Sequence, residues 1–394
     1  DGVEQSRGIR GGIGLMNAAG ALFEVHAAQA DAVGTWGTEG FWNHGTVRVT
    51  SDSGNASAAS AIATVPYSPN PSAFVNSGTI VVTAAATGKA MDMDNNSAAV
   101  RMIANSGSIT VHGGAESYGI EAWLSAPGSL PDQPQVVNSG TITVTDGTAE
   151  LDSAGLLLDI SSRAEVWNSG TITADYAVRV VRGASFADYL GYSMALYNTG
   201  TLDGRVYLSA YADTLINTGS IAGDVWLGGG HDLYDGRQGQ LAGSIDGYDG
   251  NDTLLAGAGS QTVMGGFGDD LVSGGTGADV LTGGLGRDVF RYEGGHGHDV
   301  ITDFQTGAAH DWIDVRGYAA WQSIVQQGAD VLITFNASNT LLVRGVRVAD
   351  LTGGAVRFGA AAIASNTIPD ASVAPAAPPV PPPVAPDPNL TFPA

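Results

Sequence analysis

The chain has 394 residues, a formal net charge of −23, 57 glycines and no cysteine. Only 14% of its residues are charged and Lys89 is the sole lysine, which excludes the basic surface that nucleic-acid binders need. No stretch comes near roughly eighteen uninterrupted apolar residues, so no membrane-spanning helix is expected, and this glycine-rich, charge-poor composition suits a repetitive β-solenoid.

The first 35 residues, with GIRGGIGLMNAAGALFEV, are expected to form a divergent first rung or a cap, because the open end of a solenoid is a sticky edge. Residues 36–227 then repeat a corner phrase: NHGTV at Asn43, NSGTI at Asn76, NSGSI at Asn105, NSGTI at Asn138 and Asn168, NTGTL at Asn198 and NTGSI at Asn217. The intervals are 33, 29, 33, 30, 30 and 19 residues. An apolar residue usually precedes the Asn, a short alternating strand such as TIVV or TITV follows it, and a second apolar patch (AVRMI, YGIEAWL, AGLLLDI, YAVRVV) lies midway. This is the pattern of a parallel β-helix, in which neighbouring rungs bury what one rung cannot. Asn and Gly are expected at the corners because both tolerate left-handed backbone angles, and stacked Asn amides can hydrogen-bond along the ladder. Trp167 and Trp226 fall at core-like positions; Trp36 and Trp42 read as core or cap packing, with a sugar-stacking face as the alternative. The phrase resembles the rungs of large bacterial surface proteins and autotransporter passengers, which implies an architecture more than an activity.

An interval of about 30 residues suits a three-faced rung, and the final 19 approaches the eighteen residues of a two-phrase turn further on. The spacing therefore predicts one continuous solenoid that narrows near residues 217–247 without a linker. Roughly eleven turns stacked ~4.8 Å apart would make a rod on the order of 50 Å.

Residues 228–303 carry the most specific signal. Between Gly247 and Arg291 a nine-residue phrase runs without a break: GYDGNDTLL, AGAGSQTVM, GGFGDDLVS, GGTGADVLT, GGLGRDVFR. The first six residues make a glycine-dependent turn, and the last three make a very short strand with Leu254, Val263, Leu271 or Val272, Leu281 and Phe290 pointing inward. Two phrases complete one turn of a flattened coil, so equivalent positions recur every eighteen residues. Asp252 then lies over Asp270, Asp270 over Asp288, and Gln261 over Asp279 on the other edge. Stacked carboxylates repel unless a cation sits between them, and calcium takes six to eight oxygens of the carboxylate and carbonyl kind that such turns offer. The expected metal ligands are Asp252, Asp270, Asp279 and Asp288, with Asp232 (GGGHDLYD) and Asp299 (GGHGHDVIT) in looser flanking copies. Gln261 replaces an aspartate, so the position between Gln261 and Asp279 should bind weakly or not at all. Residues 224–314 hold 15 of the 39 acidic residues against three arginines, which concentrates the charge where the cation is expected. These repeats resemble the haemolysin-type nonapeptide repeats of RTX proteins. The resemblance implies a right-handed parallel β-roll, calcium as cofactor, and export by type I secretion through a C-terminal signal.

Residues 304–360, including FQTGAAHDWIDV and the hairpin-like ADVLITFNASNTLLVRGV, resemble the β cap and secretion-signal region that follows such rolls. Residues 361–394 form a proline-rich tail; ten of the sixteen prolines lie in 369–394, where polyproline II is the expected conformation. Its apolar end, with Leu390 and Phe392, is a candidate for docking onto a neighbouring molecule. The chain begins at Asp1 without a signal-like segment, as expected of a processed form, a fragment, or a protein exported by a C-terminal signal.

Catalytic signatures are absent from the sequence. There is no HExxH and no GxSxG, and the seven histidines are scattered except for His296-Gly-His298, a zinc pair or, more in keeping with its place, part of a divergent calcium turn. Arg179 and Arg182 beside Asp175 read as a solvated strand edge. The expected protein is all-β, a parallel β-helix continuing into a calcium-binding β-roll, secreted to the outside or surface of a bacterium, non-enzymatic and self-assembling. The alternatives are an adhesin or glycan-binding module, and part of a secreted polysaccharide-active enzyme.

Overall fold

The computed structural model describes residues 6–10, 15–28, 32–36, 41–60, 72–93, 100–114, 116–124, 136–146, 153–160, 163–181, 192–307 and 310–359. The proline-rich tail and the side chain of Trp36 lie outside the described residues. Strand accounts for 60% of the structure and helix for 2%. A 14-stranded parallel sheet runs from Leu15–Asn17 to Val356–Phe358. A 23-stranded sheet accompanies it, parallel except for antiparallel pairings at its C-terminal end. Fourteen stacked strands correct the expected eleven turns; at ~4.8 Å per step the rod is about 60 Å long. The additional turns come from the first 35 residues, whose strands pair in rung fashion (Ser6–Arg10 with Ala32–Trp36, Leu22–Ala27 with Thr46–Ser51), and from the strands that close the roll.

In the N-terminal half each rung has three strands, such as Ser72–Asn76, Thr79–Ala84 and Gly88–Met93. In-register parallel stacking places like residues over one another: Ile80, Ile109, Ile142, Ile172, Leu202 and Ile221 form one column, each at most 2% exposed. Such β-branched columns fill a pleated interior well. One continuous apolar core extends from Val25 to Ala355.

The narrowing starts earlier than the repeat interval predicts. Thr171–Val181 is a single strand whose first part pairs with Thr141–Asp146 and whose second part pairs with Ala154–Ile160. Two faces of the β-helix fuse there, some forty residues before the expected position. An interval counts loop residues as well as strand residues, so it stays at 30 from Asn168 to Asn198 after a corner has gone. From Asn198 to Asn217 it drops to 19, and the 14-stranded sheet passes into the roll without a break.

The corners also differ from expectation in their cause. Among the described residues only Glu116 and Tyr248 are non-glycine residues with positive φ, so no described corner Asn is left-handed. The glycines that follow the corner asparagines also lack positive φ. They are required by close stacking: a Cβ on Gly78, Gly107, Gly140 or Gly170 would lie 2.0 Å from the carbonyl oxygen of the corresponding glycine one rung earlier. The Asn side chains point into the fold and form a buried ladder. Each Nδ2 donates to the Oδ1 of the next, from Asn17 through Asn43, Asn76, Asn105, Asn138, Asn168 and Asn198 to Asn217, at 2.7–2.8 Å.

Strands Ser323–Gln327, Asp330–Asn336 and Asn339–Val343 form an antiparallel meander after the roll. The last of them continues the roll in parallel with His298–Ile301, and a short helix, Val348–Thr352, follows.

Candidate metal centre

In the roll the turns alternate between two edges. On one edge an aspartate stands immediately before each short strand of the 14-stranded sheet: Asp232 before Leu233–Asp235, Asp252 before Thr253–Leu255, Asp270 before Leu271–Ser273, and Asp288 before Val289–Tyr292. All are buried. Val272 takes the main-core position and Leu271 packs into a smaller cluster with Leu255 and Val289.

The carboxylates form a second ladder. The backbone NH of Asp213 donates to Asp232 Oδ1 (2.6 Å), that of Asp232 to Asp252 (2.8 Å), Asp252 to Asp270 (2.7 Å), Asp270 to Asp288 (3.0 Å) and Asp288 to Asp311 (3.0 Å). On the other edge Gln261 donates to Asp279 Oδ1 (2.8 Å) and Asp279 to Asp299 Oδ1 (3.0 Å). Each carboxylate is therefore satisfied on one oxygen. The other oxygen, Oδ2 of Asp232, Asp252, Asp270, Asp279, Asp288 and Asp299, is buried with no hydrogen-bond partner. A buried polar atom left unpaired is costly, and four in register on one edge with two on the other call for the same kind of partner.

The ladder ends explain themselves. Asp213 receives Met194 NH on Oδ1 and Ser209 NH and Oγ on Oδ2. Asp311 receives Asp288 NH on one oxygen and Gln305 NH on the other. Both are saturated by protein. Burial raises them only to about 6, against about 9 for Asp232, 7 for Asp252, 8 for Asp270, 7 for Asp288 and 8 for Asp299. In those five, desolvation is the largest cause and neighbouring carboxylates push in the same direction. Asp279 is raised to about 6, again by burial.

The first glycine of the phrase shapes the space beside each unpaired oxygen. A Cβ on Gly247, Gly265, Gly283 or Gly274 would lie 2.2–2.4 Å from Oδ2 of Asp252, Asp270, Asp288 or Asp279. The carbonyl oxygens of Gly265 and Gly283 border the same space beside Gly247 and Gly265. Among the described residues no three acidic or imidazole side chains converge on one point. A cation here would be held by a carboxylate together with turn carbonyls, which is the oxygen-only donor set a hard divalent ion takes.

Gln261 sits in the carboxylate position with Oε1 unpaired, while its Nε2 donates to Ala258 O (3.0 Å). It has no charge to offer, and its neighbour Asp279 is among the least perturbed of the stacked carboxylates. His296 and His298 do not form a pair: His298 faces solvent against Thr340 Oγ1 (2.9 Å), whereas His296 is buried beside Tyr292. Sequence reasoning missed Asp213 and Asp311, which stand 19 residues before Asp232 and 23 after Asp288. Counting outward from the strict repeats would have found the first; the second lies beyond a longer loop. It also missed Asp303, whose two oxygens accept the Gly283 and Gly284 NH groups at 2.9 and 2.8 Å.

The sequence model of the RTX calcium-binding nonapeptide repeat family matches residues 244–263, 255–290 and 264–301, in four copies. That family binds calcium, and the unpaired carboxylate oxygens lie largely within the matched turns. The chain thus carries an RTX β-roll and uses calcium. No curated protein matches the chain. Proteins with these repeats are typically secreted, and no described helix is long and apolar enough to cross a membrane.

Proposed function

We propose that the protein is a secreted, non-enzymatic structural rod whose roll folds outside the cell on binding calcium through Asp232, Asp252, Asp270, Asp279, Asp288 and Asp299, and whose folded rods assemble at a bacterial surface or matrix. The observation that carries this reading is the row of buried, unpartnered Oδ2 atoms. Without a cation the roll must either desolvate charges or protonate them; with calcium each lone oxygen gains a ligand bond, and binding free energy becomes folding free energy. In calcium-poor cytosol the roll stays unfolded and export-competent, whereas extracellular modules bind at Kd ~10⁻⁴–10⁻³ M. Circular dichroism during a calcium titration tests the first step: β signal should rise with calcium and fall with chelator, and an unchanged spectrum overturns it. Negative-stain imaging of intact and 361–394-deleted protein tests assembly; equal assembly by both removes the tail from the mechanism.

A second reading, glycan binding, has one observation in its favour. On the outer face where the β-helix narrows, the Arg205 guanidinium lies 5.7 Å from the ring centroids of both Tyr176 and Trp226, Arg179 lies 5.0 Å over Tyr176, and Tyr207 meets Trp226 edge-on at 6.2 Å. Aromatic faces beside guanidinium groups suit acidic sugars. A glycan array with wild type and Trp226→Ala discriminates; no binding, or binding indifferent to Trp226, leaves the structural role alone.

A further inference from the structure

The third position of the nonapeptide turn points outward in the strict repeats: Phe267 is 60% exposed and Leu285 62%, and Asp249 and Thr276 are exposed too. His296 holds that position in the last turn and is only 6% exposed. The spacing explains the inversion. Asp279 and Asp299 are 20 residues apart instead of 18, and the extra residues form a tight turn closed by His296 NH on Glu293 O. The imidazole is thereby drawn inward against Tyr292. Its Nδ1 has no hydrogen-bond partner, and neither does Oδ2 of Asp299, itself 1% exposed; the two atoms face each other at 3.9 Å. Asp279, whose Oδ2 is likewise without a partner, belongs to the turn stacked on this one.

We infer that His296 and Asp299 form a mixed nitrogen–oxygen site selective for a first-row transition ion such as zinc, at the turn that joins the roll to its cap, where that ion takes the place of calcium on Asp299 alone. Calcium takes oxygen donors and gains little from imidazole, whereas zinc, cobalt and nickel prefer it. A tetrahedral ion with bonds of ~2.0–2.1 Å separates its donors by about 3.4 Å, so the gap closes with a shift of about half an ångström. Two further donors are needed to complete a tetrahedral shell. The same turn grips the cap, through Asn339 Oδ1 accepting from Gly297 NH (3.0 Å) and Tyr292 Oη donating to Gly297 O (2.8 Å). An ion here would therefore brace the cap against the roll, independently of calcium in the other turns.

The test uses the full chain saturated with calcium, titrated with zinc by calorimetry and with cobalt by visible absorption. Wild type should bind one zinc ion in the presence of calcium, give a cobalt spectrum with a nitrogen ligand, and melt at a higher temperature with zinc. His296→Ala should weaken zinc binding by at least about tenfold and abolish the cobalt spectrum, while its calcium-induced circular dichroism stays as in wild type. His298→Ala, at the exposed neighbour, should behave as wild type. Equal zinc binding by His296→Ala, loss of binding in His298→Ala alone, or displacement of zinc by excess calcium overturns the assignment. Should His296→Ala fail to fold, the calcium-saturated wild type decides it: protection of the His296 ring from diethyl pyrocarbonate by zinc supports the site, and unchanged reactivity overturns it.

Discussion

The two halves of the rod stack polar side chains along a corner in the same way and reach opposite electrostatic results. In the β-helix the repeated group is an amide, which both donates and accepts. Asn43 through Asn198 each receive one hydrogen bond and pass one on, so the row is closed by the protein alone. In the roll the repeated group is a carboxylate, which only accepts. The backbone supplies one donor per turn and leaves one buried oxygen over. One strand, Thr214–Asn217, carries the exchange: Asp213 opens the carboxylate row before it and Asn217 ends the amide row on it. The glycines divide in the same way. In the β-helix corner they make room for a neighbouring carbonyl at ordinary φ; in the roll several of them, such as Gly250, Gly268 and Gly286, adopt φ of 124–144° as well. A self-contained ladder and an ion-dependent one thus share a single core.

The largest test of this contrast is calcium removal followed by hydrogen exchange. With chelator at pH 8, protection should be lost across 228–303 and retained across 136–181. Uniform loss would mean that the two halves fold as one unit. Acidity should modify the outcome in a defined direction. The folded-state pKa values of Asp232, Asp252 and Asp270 are raised to about 9, 7 and 8, above an unfolded value of about 3.9. Their contribution to metal-free stability is therefore fully present below pH ~4 and is lost as pH climbs through those folded values. Chelated protein should be more folded at pH 5 than at pH 8.5, while the calcium midpoint should move to lower concentration as pH rises from 5 to 8, because protons compete for the same oxygens.

Asn138→Ala comes next. It strands the Asn168 Oδ1 acceptor and takes one of two bonds from Asn105 Nδ2, which keeps Thr141 O at 3.2 Å, and at about 1–3 kcal/mol per orphaned group it should cost roughly 1–3 kcal/mol in denaturant melts of the calcium-loaded protein. Asp270→Asn transplants the logic of one ladder into the other. It should weaken calcium binding and raise the metal-free melting temperature, and a fall in both would show that the carboxylate is needed for packing as well. The smallest effect belongs to Gln261→Asp. Restoring the missing carboxylate over Asp279 should add up to one calcium ion by calorimetry and sharpen the folding transition slightly, with little change in midpoint.

Much of this was legible in the chain. A strict nine-residue period is a statement about which side chains stack, and it places Asp252, Asp270 and Asp288 in one row and Asp279 in the other. The corner asparagines were equally plain, although for a different reason than the one the turn chemistry suggested: their backbone is not left-handed, and the glycine beside them answers to a carbonyl one rung away. That carbonyl is about 30 residues distant in the chain, so no local rule could name it. The narrowing at Thr171–Val181 was hidden because a repeat interval adds loop and strand together.

Periodicity alone therefore determined the all-β solenoid, the acidic turns and the kind of ion they take, since a repeat copies its own contacts. The tertiary structure decided where the rows stop and which oxygens remain over. Asp213 and Asp311 are terminators only because Ser209 and Gln305 happen to fold back onto them, and His296 turns inward only because a longer turn meets the cap. Those outcomes depend on groups that lie outside the repeat, and a period carries no information about what breaks it.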